Sequence, residues 1–323
     1  MVGPGMTILA HTDPQPLPQA PAVVLVNLDG GGAAQLGAEA LQAQLASAFG
    51  ALGLAAELVL LKGAELPAAV RAQREALTLR RPAAIVAAGG DGTVRALAQE
   101  LAGSGLSLAV LPLGTLNHFA RDLGIPFDLG GAVAVIARGH TIEVDVGEVE
   151  GSVFVNNASI GLYAELVRDR ERQRRLKGRR KLTAMAIALL HALRRPPIRH
   201  LTIEAEGRIE RRKVSIAFVG NNRYGTTLPL LGRRNTLAGG TLCLLTAAPE
   251  HLFGWLRLFL RAALGRLDHD RDFECRALPE LVIHSRRPRL RVALDGEIVH
   301  LASPLRFRIL PRALCVLVPP PTD

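Results

Sequence analysis

The sequence predicts two domains, an amino-terminal doubly wound α/β domain followed by an antiparallel β-sandwich with inserted helices. Three observations predict this. The chain has 323 residues, beyond the usual reach of one hydrophobic core, and its 49% hydrophobic content can fill two. Its first half alternates short apolar strand patterns with helical ones, as a parallel sheet with crossover helices requires. Past Thr141 the pattern changes to short alternating strands at regular spacing, which suits an antiparallel sandwich.

Residues 1–21, with Pro4, Pro14, Pro16, Pro18 and Pro21, read as a flexible leader. The first Lys or Arg is Lys62, so the basic segment that opens a secretory signal is not expected. The α/β domain is expected over 22–141. "AVVLVN" (Ala22 to Asn27) reads as a buried strand, and Leu36, Leu41, Leu45 and Phe49 fall near one face of the helix after it. "AAELVLL" is the second strand, and "LPAAVRAQREALTLR" is a helix opened by Pro67. "AAIVAA" runs into Gly89-Gly90-Asp91-Gly92-Thr93 and a helix. "LSLAVLP" follows with a second turn, and "GGAVAVIARG" is the closing helix.

The sandwich is expected over 142–310, with strands "TIEVDVGEVE", "SVFVNNAS", "RHLTIEAEG", "RRKVSIAFVG", "TLCLLTA", "ELVIHS", "LRVALDGEIV" and "LRFRIL". Two helices interrupt it. One runs through a basic stretch into "LTAMAIALLHALRR" and stops at Pro196-Pro197; the other covers Leu252 to Leu264. Residues 311–323 hold a final strand and tail.

Composition removes several function classes. Cys243, Cys275 and Cys315 are odd in number, far apart and in no C-x-x-C pair, so neither a disulfide framework nor a zinc site is expected, and a reducing cytosol fits best. No apolar run reaches the roughly 20 residues that cross a bilayer. The nearest, Leu252 to Gly265, carries Arg257 and Arg261, each costing about 2.5–3.5 kcal/mol at a bilayer centre. The net charge of +10 is concentrated in Arg168 to Lys181, where nine basic and two acidic residues give +7. Such a patch suits an anionic partner.

A strand that ends in glycines and turns directly into a helix leaves main-chain N–H groups pointing over the sheet edge, where a phosphate can be held. Glycine permits both the turn and the close approach. Neither the P-loop pattern nor G-x-G-x-x-G is present. Taken alone, GGDG reads as a tight turn with Asp91 capping the helix. It is not alone, because Pro112-Leu113-Gly114-Thr115-Leu116-Asn117 presents another glycine, hydroxyl and amide at the next strand-to-helix junction. Adjacent parallel strands would set both junctions on one edge, where open α/β sheets bind ligands.

The ordered set "GGDGT", "PLGTLNHFARDLGIP", "NNASIGLYAELV", "VGNNRYG" and "VALDGE" resembles the diacylglycerol kinase catalytic-domain family, in particular the bacterial YegS-like soluble lipid kinases. The resemblance covers nearly everything after the leader. It implies an α/β domain of the NAD kinase and diacylglycerol kinase type, a β-sandwich, ATP bound in the cleft between them, transfer of the γ-phosphate to a lipid hydroxyl, and a last strand, "LCVLVP", that returns toward the first domain. Carried over by position, Gly89, Gly90, Asp91, Gly92, Thr93, Val94 and Arg95 surround the ATP phosphates, with Asp91 near Mg²⁺. Gly114, Thr115, Asn117 and Asn27 add contacts. Asp295 is expected as general base, with Glu297 supporting it or the metal; Asp295-Gly296 also reads as a hairpin turn.

The sequence departs from the family in three places. "VNLDGGG" keeps Asn27 and lacks the neighbouring hydroxyl. His118 stands where many members have Asp and reads as a structural side chain. Ala238 and Gly239 stand where the bacterial lipid kinases carry Asp-Asp-Gly and a structural Mg²⁺, so no second metal is assigned. The expected partners are a lipid substrate and an acidic membrane surface met by Arg168 to Lys181, with the protein cytoplasmic and peripherally membrane-associated. The helix from Leu252 is read either as an anchor through Trp255, Phe253 and Phe259 or as packed on the sandwich. Nucleic acid is not expected, since the basic run has no aromatic residue to stack a base. The competing readings are an NAD kinase-like phosphotransferase and a non-catalytic ATP- and membrane-binding regulator.

Overall fold

The computed structural model describes residues 21–30, 36–71, 77, 84–173, 198–225, 234, 236–264 and 273–321. The chain divides into two compact units: one runs from Met1 to Val146 and resumes at Pro311, and the other is Gly147–Leu310.

In the first unit, β1 (Ala22–Asn27), β2 (Ala56–Leu61), β3 (Ile85–Gly89) and β4 (Ser107–Pro112) form a parallel sheet in the order β2-β1-β3-β4. β1, β3 and β4 read as continuous apolar runs because both faces of a parallel sheet are covered: Val23–Val26 and Ile85–Ala88 are buried throughout. α1 (Ala38–Ala51) buries Leu41, Leu45 and Phe49. Leu36, expected on that face, precedes the helix and is 46% exposed. α2 (Asp91–Leu101) follows β3 directly and buries Val94, Leu97, Ala98 and Leu101. After β4 come a short α3 (His118–Asp122) and α4 (Leu129–Arg138). α4 is capped by Asp128, whose Oδ1 accepts from Gly131 N at 2.7 Å, and ended by the left-handed Gly139.

The second unit is a sandwich. One antiparallel sheet has the order β12-β11-β10-β7-β14-β15, formed by β7 (Asn157–Gly161), β10 (Ile216–Asn221), β11 (Leu242–Ala247), β12 (Phe273–Leu278), β14 (Arg289–Leu294) and β15 (Glu297–Ala302). It packs against β8 (Arg199–Ala205), β9 (Arg208–Val214), β13 (Glu280–Ser285) and the first part of β16 (Leu305–Leu317), paired as β16-β13-β8-β9. Alternate residues from the two sheets, among them Ile160, Val219, Leu244, Val292, Ile203, Ile283 and Phe307, fill the core.

Two strands expected as single are divided. "RRKVSIAFVG" breaks at Ser215, whose main chain bonds Ala247 and Leu162 and whose Oγ donates to Pro249 O at 2.6 Å, making a bend between the sheets. "SVFVNNAS" becomes β6 (Ser152–Phe154) and β7 with a turn at Val155-Asn156. β12 was absent from the expected set. β5 (Thr141–Val149) and β16 each pass from one unit into the other. β16 pairs antiparallel with β13 at Leu305 to Arg308 and parallel with β4 at Cys315 and Val316. α5 (Leu162–Gln173) covers β14 and β15 through Ala164 and Val167 against Ala293. α6 (Leu252–Ala263) packs Trp255 and Leu258 against Ala247 and Ile216. The expected helix over 182–195 and most of the basic run lie outside the described residues.

Candidate active site

The strand order places the first half of the site. The chain goes from β1 to β2 on one side and then to β3 on the other, so direction reverses between β1 and β3, where open α/β sheets take ligands. Asn27, ending β1, donates from Nδ2 to Thr93 Oγ1 at 2.9 Å across that point. Its Oδ1 accepts the amide of Asp29, and Asp29 Oδ2 accepts Gly63 N at 2.9 Å, which ties the β1 exit to the β2 exit.

The β3 and β4 exits are in direct contact. A Cβ on Gly114 would stand 2.4 Å from Gly90 Cα, so Gly114 admits no side chain unless the turns separate; a Cβ on Gly90 would stand 3.2 Å from Gly114 Cα, a tight fit. Asp91 bonds them together: its carboxylate accepts the amides of His118 (3.2 Å) and Phe119 (3.1 Å) at the start of α3. The cap expected for α2 is therefore made across to the neighbouring helix. Asn117, left-handed at φ 49° and buried, accepts Gly114 N and donates to the carbonyls of Pro112 and Gly114.

This sorts the residues expected at the phosphates. The side chains of Asn27, Asp91, Thr93 and Asn117 build the corners. Val94 is core, and its amide bonds Gly90 O at 3.1 Å, so it is not a phosphate ligand. Gly89 is glycine because Thr93 lies on it, with Oγ1 2.2 Å from where a Cβ would stand. The main chain of Gly92 and of the exposed Thr115 and Leu116 keeps amides with no acceptor among the described residues, and Thr115 adds an exposed hydroxyl. Arg95 is half-buried on α2, and His118 is exposed.

The other residues expected at the site lie in the second unit. Asp295 and Gly296 link β14 to β15 with φ 47° and 83°, a two-residue hairpin that needs left-handed backbone at both positions. The Asp295 carboxylate is buried. Oδ2 accepts Val155 N (2.8 Å), and Oδ1 accepts Asn156 N (2.8 Å) and Asn157 N (2.9 Å). A carboxylate so held braces the β6–β7 turn, with main-chain amides on both of the oxygens expected to serve as base. Glu297, paired with Leu294 across the hairpin, is exposed.

The same turn is gripped from its carbonyl side. Val155 O accepts Asn221 Nδ2 (2.9 Å) and Arg234 Nη1 (2.6 Å), and Asn156 O accepts Tyr224 OH (3.0 Å) and Asn221 N (2.8 Å). "NNAS", "VGNNRYG" and "LDGE" thus meet in one knot. Arg234, which stacks over Tyr224 at 5.9 Å, was missed, as was Asp29; single Arg and Asp residues in loops carry no periodic signal. In the "LAGG" segment Gly239 N bonds Asn222 Oδ1 (2.9 Å) and Ala238 N bonds Thr236 Oγ1 (3.1 Å). Among the described residues no group of three or more His, Cys, Asp or Glu side chains could hold a metal.

Comparison with known proteins shows the family and the fold. The family model of the diacylglycerol kinase catalytic domain matches residues 21–149. A "Probable lipid kinase YegS-like" protein of Pseudomonas syringae pv. syringae is 32% identical over 244 residues, 73% of this chain and 75% of its own length. An uncharacterized Synechocystis protein is 27% identical over 239 residues, and the match spans only 54% of that protein. A crystal structure of a diacylglycerol kinase from Bacillus anthracis str. Sterne superposes with a TM-score of 0.64 at 18% identity, covering 93% of this chain and 97% of that one. The chain belongs to the diacylglycerol kinase-like lipid kinase family, and within it resembles the YegS-like proteins.

Proposed function

We propose that the protein transfers the γ-phosphate of ATP to the hydroxyl of a membrane lipid, diacylglycerol or a related glycerolipid. The observation that carries this is the contact of Gly90 with Gly114, which sets two strand-to-helix corners side by side with open amides at Gly92, Thr115 and Leu116. Amides at helix starts hold phosphate by hydrogen bonding and by the helix dipole. Mg²⁺ enters with ATP. The Asp91 carboxylate stands between the two corners, and one carboxylate with phosphates and waters fits the ordinary Mg²⁺ arrangement.

In the transfer step the lipid oxygen bonds to the γ-phosphorus, ADP leaves, and the hydroxyl proton passes to Glu297, a contribution of about 10²–10⁴ in rate. Asp295 is a positioning residue that holds the hairpin bearing Glu297. Access to lipid is supported by α6, whose Phe253 (71%), Leu256, Phe259 (74%) and Leu260 are exposed beside Arg257 and Arg261. No helix among the described residues is long and apolar enough to cross a membrane, so the proposed attachment is peripheral, with the basic run adding about 1 kcal/mol per Lys or Arg near an acidic surface.

The test is phosphate transfer from labelled ATP to a panel of lipids in mixed micelles beside soluble NAD. Label on a glycerolipid is the expected result. Label on NAD alone would assign the NAD kinase reaction instead, and no transfer to any acceptor would leave a binding protein.

A further inference from the structure

Unit 2 carries another polar site at the opposite end of β14 from the Asp295 hairpin, roughly 16 Å along the strand. A cavity of about 100 Å³ there is lined by Arg199, Arg287, Arg289, Arg291, Glu165 and His300 over a small apolar floor. Strand alternation explains the placement. Leu290, Val292 and Leu294 point into the core, and Arg289 and Arg291 take the outer face, the side that α5 covers.

Charge in this pocket is unbalanced. Glu165 on α5 is its single carboxylate among the described residues, and Oε1 accepts Arg199 Nη2 (3.2 Å) while Oε2 takes both Arg291 Nη1 (2.8 Å) and Arg168 Nη1 (2.8 Å). The Arg199 and Arg291 side chains are only 19% and 29% exposed. The guanidinium groups of Arg287 and Arg289, at the rim, have no hydrogen-bond or ion-pair partner among the described residues. Four arginines against one glutamate leave a net +3 with His300 neutral. Burial, and next the repulsion of Arg287, push Arg199 below the ordinary guanidinium range; Glu165 opposes this and Arg291 adds to it. Like charges gathered in a half-buried pocket cost free energy until an anion neutralises them.

We infer that this pocket binds a phosphate monoester dianion. Arginine forks match phosphate oxygens two at a time, and a dianion neutralises more of the +3 than a carboxylate does. The cavity is well above the roughly 10–15 Å³ that one water needs and has no aromatic wall for a base, which fits a phosphoryl group rather than a nucleotide. Such a group comes from a soluble phosphate ester or from the headgroup of phosphatidic acid.

The experiment uses the full chain without ATP or acceptor lipid, so its outcome is independent of the kinase reading. Thermal stability is titrated with inorganic phosphate against chloride at constant ionic strength, for the natural protein and for Arg287→Gln/Arg289→Gln. Both side chains are exposed and outside the hydrogen-bonded network, so the unliganded variant should fold and melt no lower than the natural protein, or slightly higher as the repulsion is relieved. Phosphate should raise the Tm of the natural protein, and the apparent dissociation constant should rise about tenfold or more in the variant. Arg287→Lys/Arg289→Lys should recover part of the affinity, which separates lost charge from lost folding. Vesicles of phosphatidic acid and of phosphatidylglycerol, matched in charge, identify the source. Preferential sedimentation with phosphatidic acid, lost in the glutamine variant, means a lipid headgroup; phosphate binding without that preference means a soluble ester. No phosphate effect on the natural protein, or an equal effect on both proteins as binding at the nucleotide corner would give, overturns the proposal.

Discussion

Asp295 and Glu297 stand two residues apart in different settings, one buried against three main-chain amides and the other exposed. Replacing Asp295 by Asn turns an amide donor toward main-chain N–H groups that now meet an acceptor, so Asp295→Asn should lose about 1–3 kcal/mol of stability. Glu297→Gln, at an exposed position, should leave Tm unchanged and lower turnover about 10²–10⁴-fold. Calorimetry and the transfer assay read the two effects; an Asp295→Asn protein with full stability and no turnover would return the base role to Asp295. The hairpin was legible because Asp-Gly has few alternatives between alternating apolar runs. The occupation of its carboxylate was not legible, since its partners lie 138 to 140 residues away. A similar distant pairing acts on Cys243. The Cys275 thiol, 3.5 Å away, does most to draw it down to about 7; burial opposes, and a Tyr224 main-chain bond and the Arg223 charge assist. A folded value below the unfolded one, about 8.5, means that this stabilisation is present above the unfolded value and is lost as pH falls through about 7. Ultraviolet titration of the thiolate, as a difference from Cys243→Ala, should give a midpoint near 7 that moves up toward the ordinary cysteine range in Cys275→Ala.

The elements of the paired glycine corners depend on one another more than on their own propensities. Gly114→Ala places a methyl 2.4 Å from Gly90 Cα and 2.6 Å from Asn117 Oδ1, so the two turns must separate. The expected cost is about 1–3 kcal/mol, a fall of several degrees in Tm, with weaker ATP binding by titration calorimetry; unchanged ATP affinity would show that the contact does not shape the site. Sequence pattern located β3, β4 and both corners because buried strands ending in glycine are distinctive. It could not show that Asp91 caps α3 rather than α2, because capping across helices depends on which strands are neighbours. The division at Ser215 was hidden for a related reason: Val214 and Ile216 continue an apolar rhythm while the chain changes sheets.

At the scale of the molecule, β16 belongs to both units. Its residues up to Arg308 complete the sandwich, and Leu314, Val316, Leu317 and the following Val318 are buried against the α/β sheet, where Val318 N also bonds His140 O. Four buried apolar side chains contribute about 6–12 kcal/mol, comparable to the whole stability of a domain at about 5–15 kcal/mol. A chain ending at Leu310 should therefore keep the melting transition of the sandwich and lose that of the α/β unit, as calorimetry with limited proteolysis would report; two intact transitions would show that the strand is dispensable. This architecture also orders events during synthesis. The ribosome makes the α/β half before the sandwich, yet its edge stays open until the strand that follows the sandwich has been read, so the half translated earlier matures later and depends on chaperones or on the finished sandwich to keep its exposed strand from pairing elsewhere.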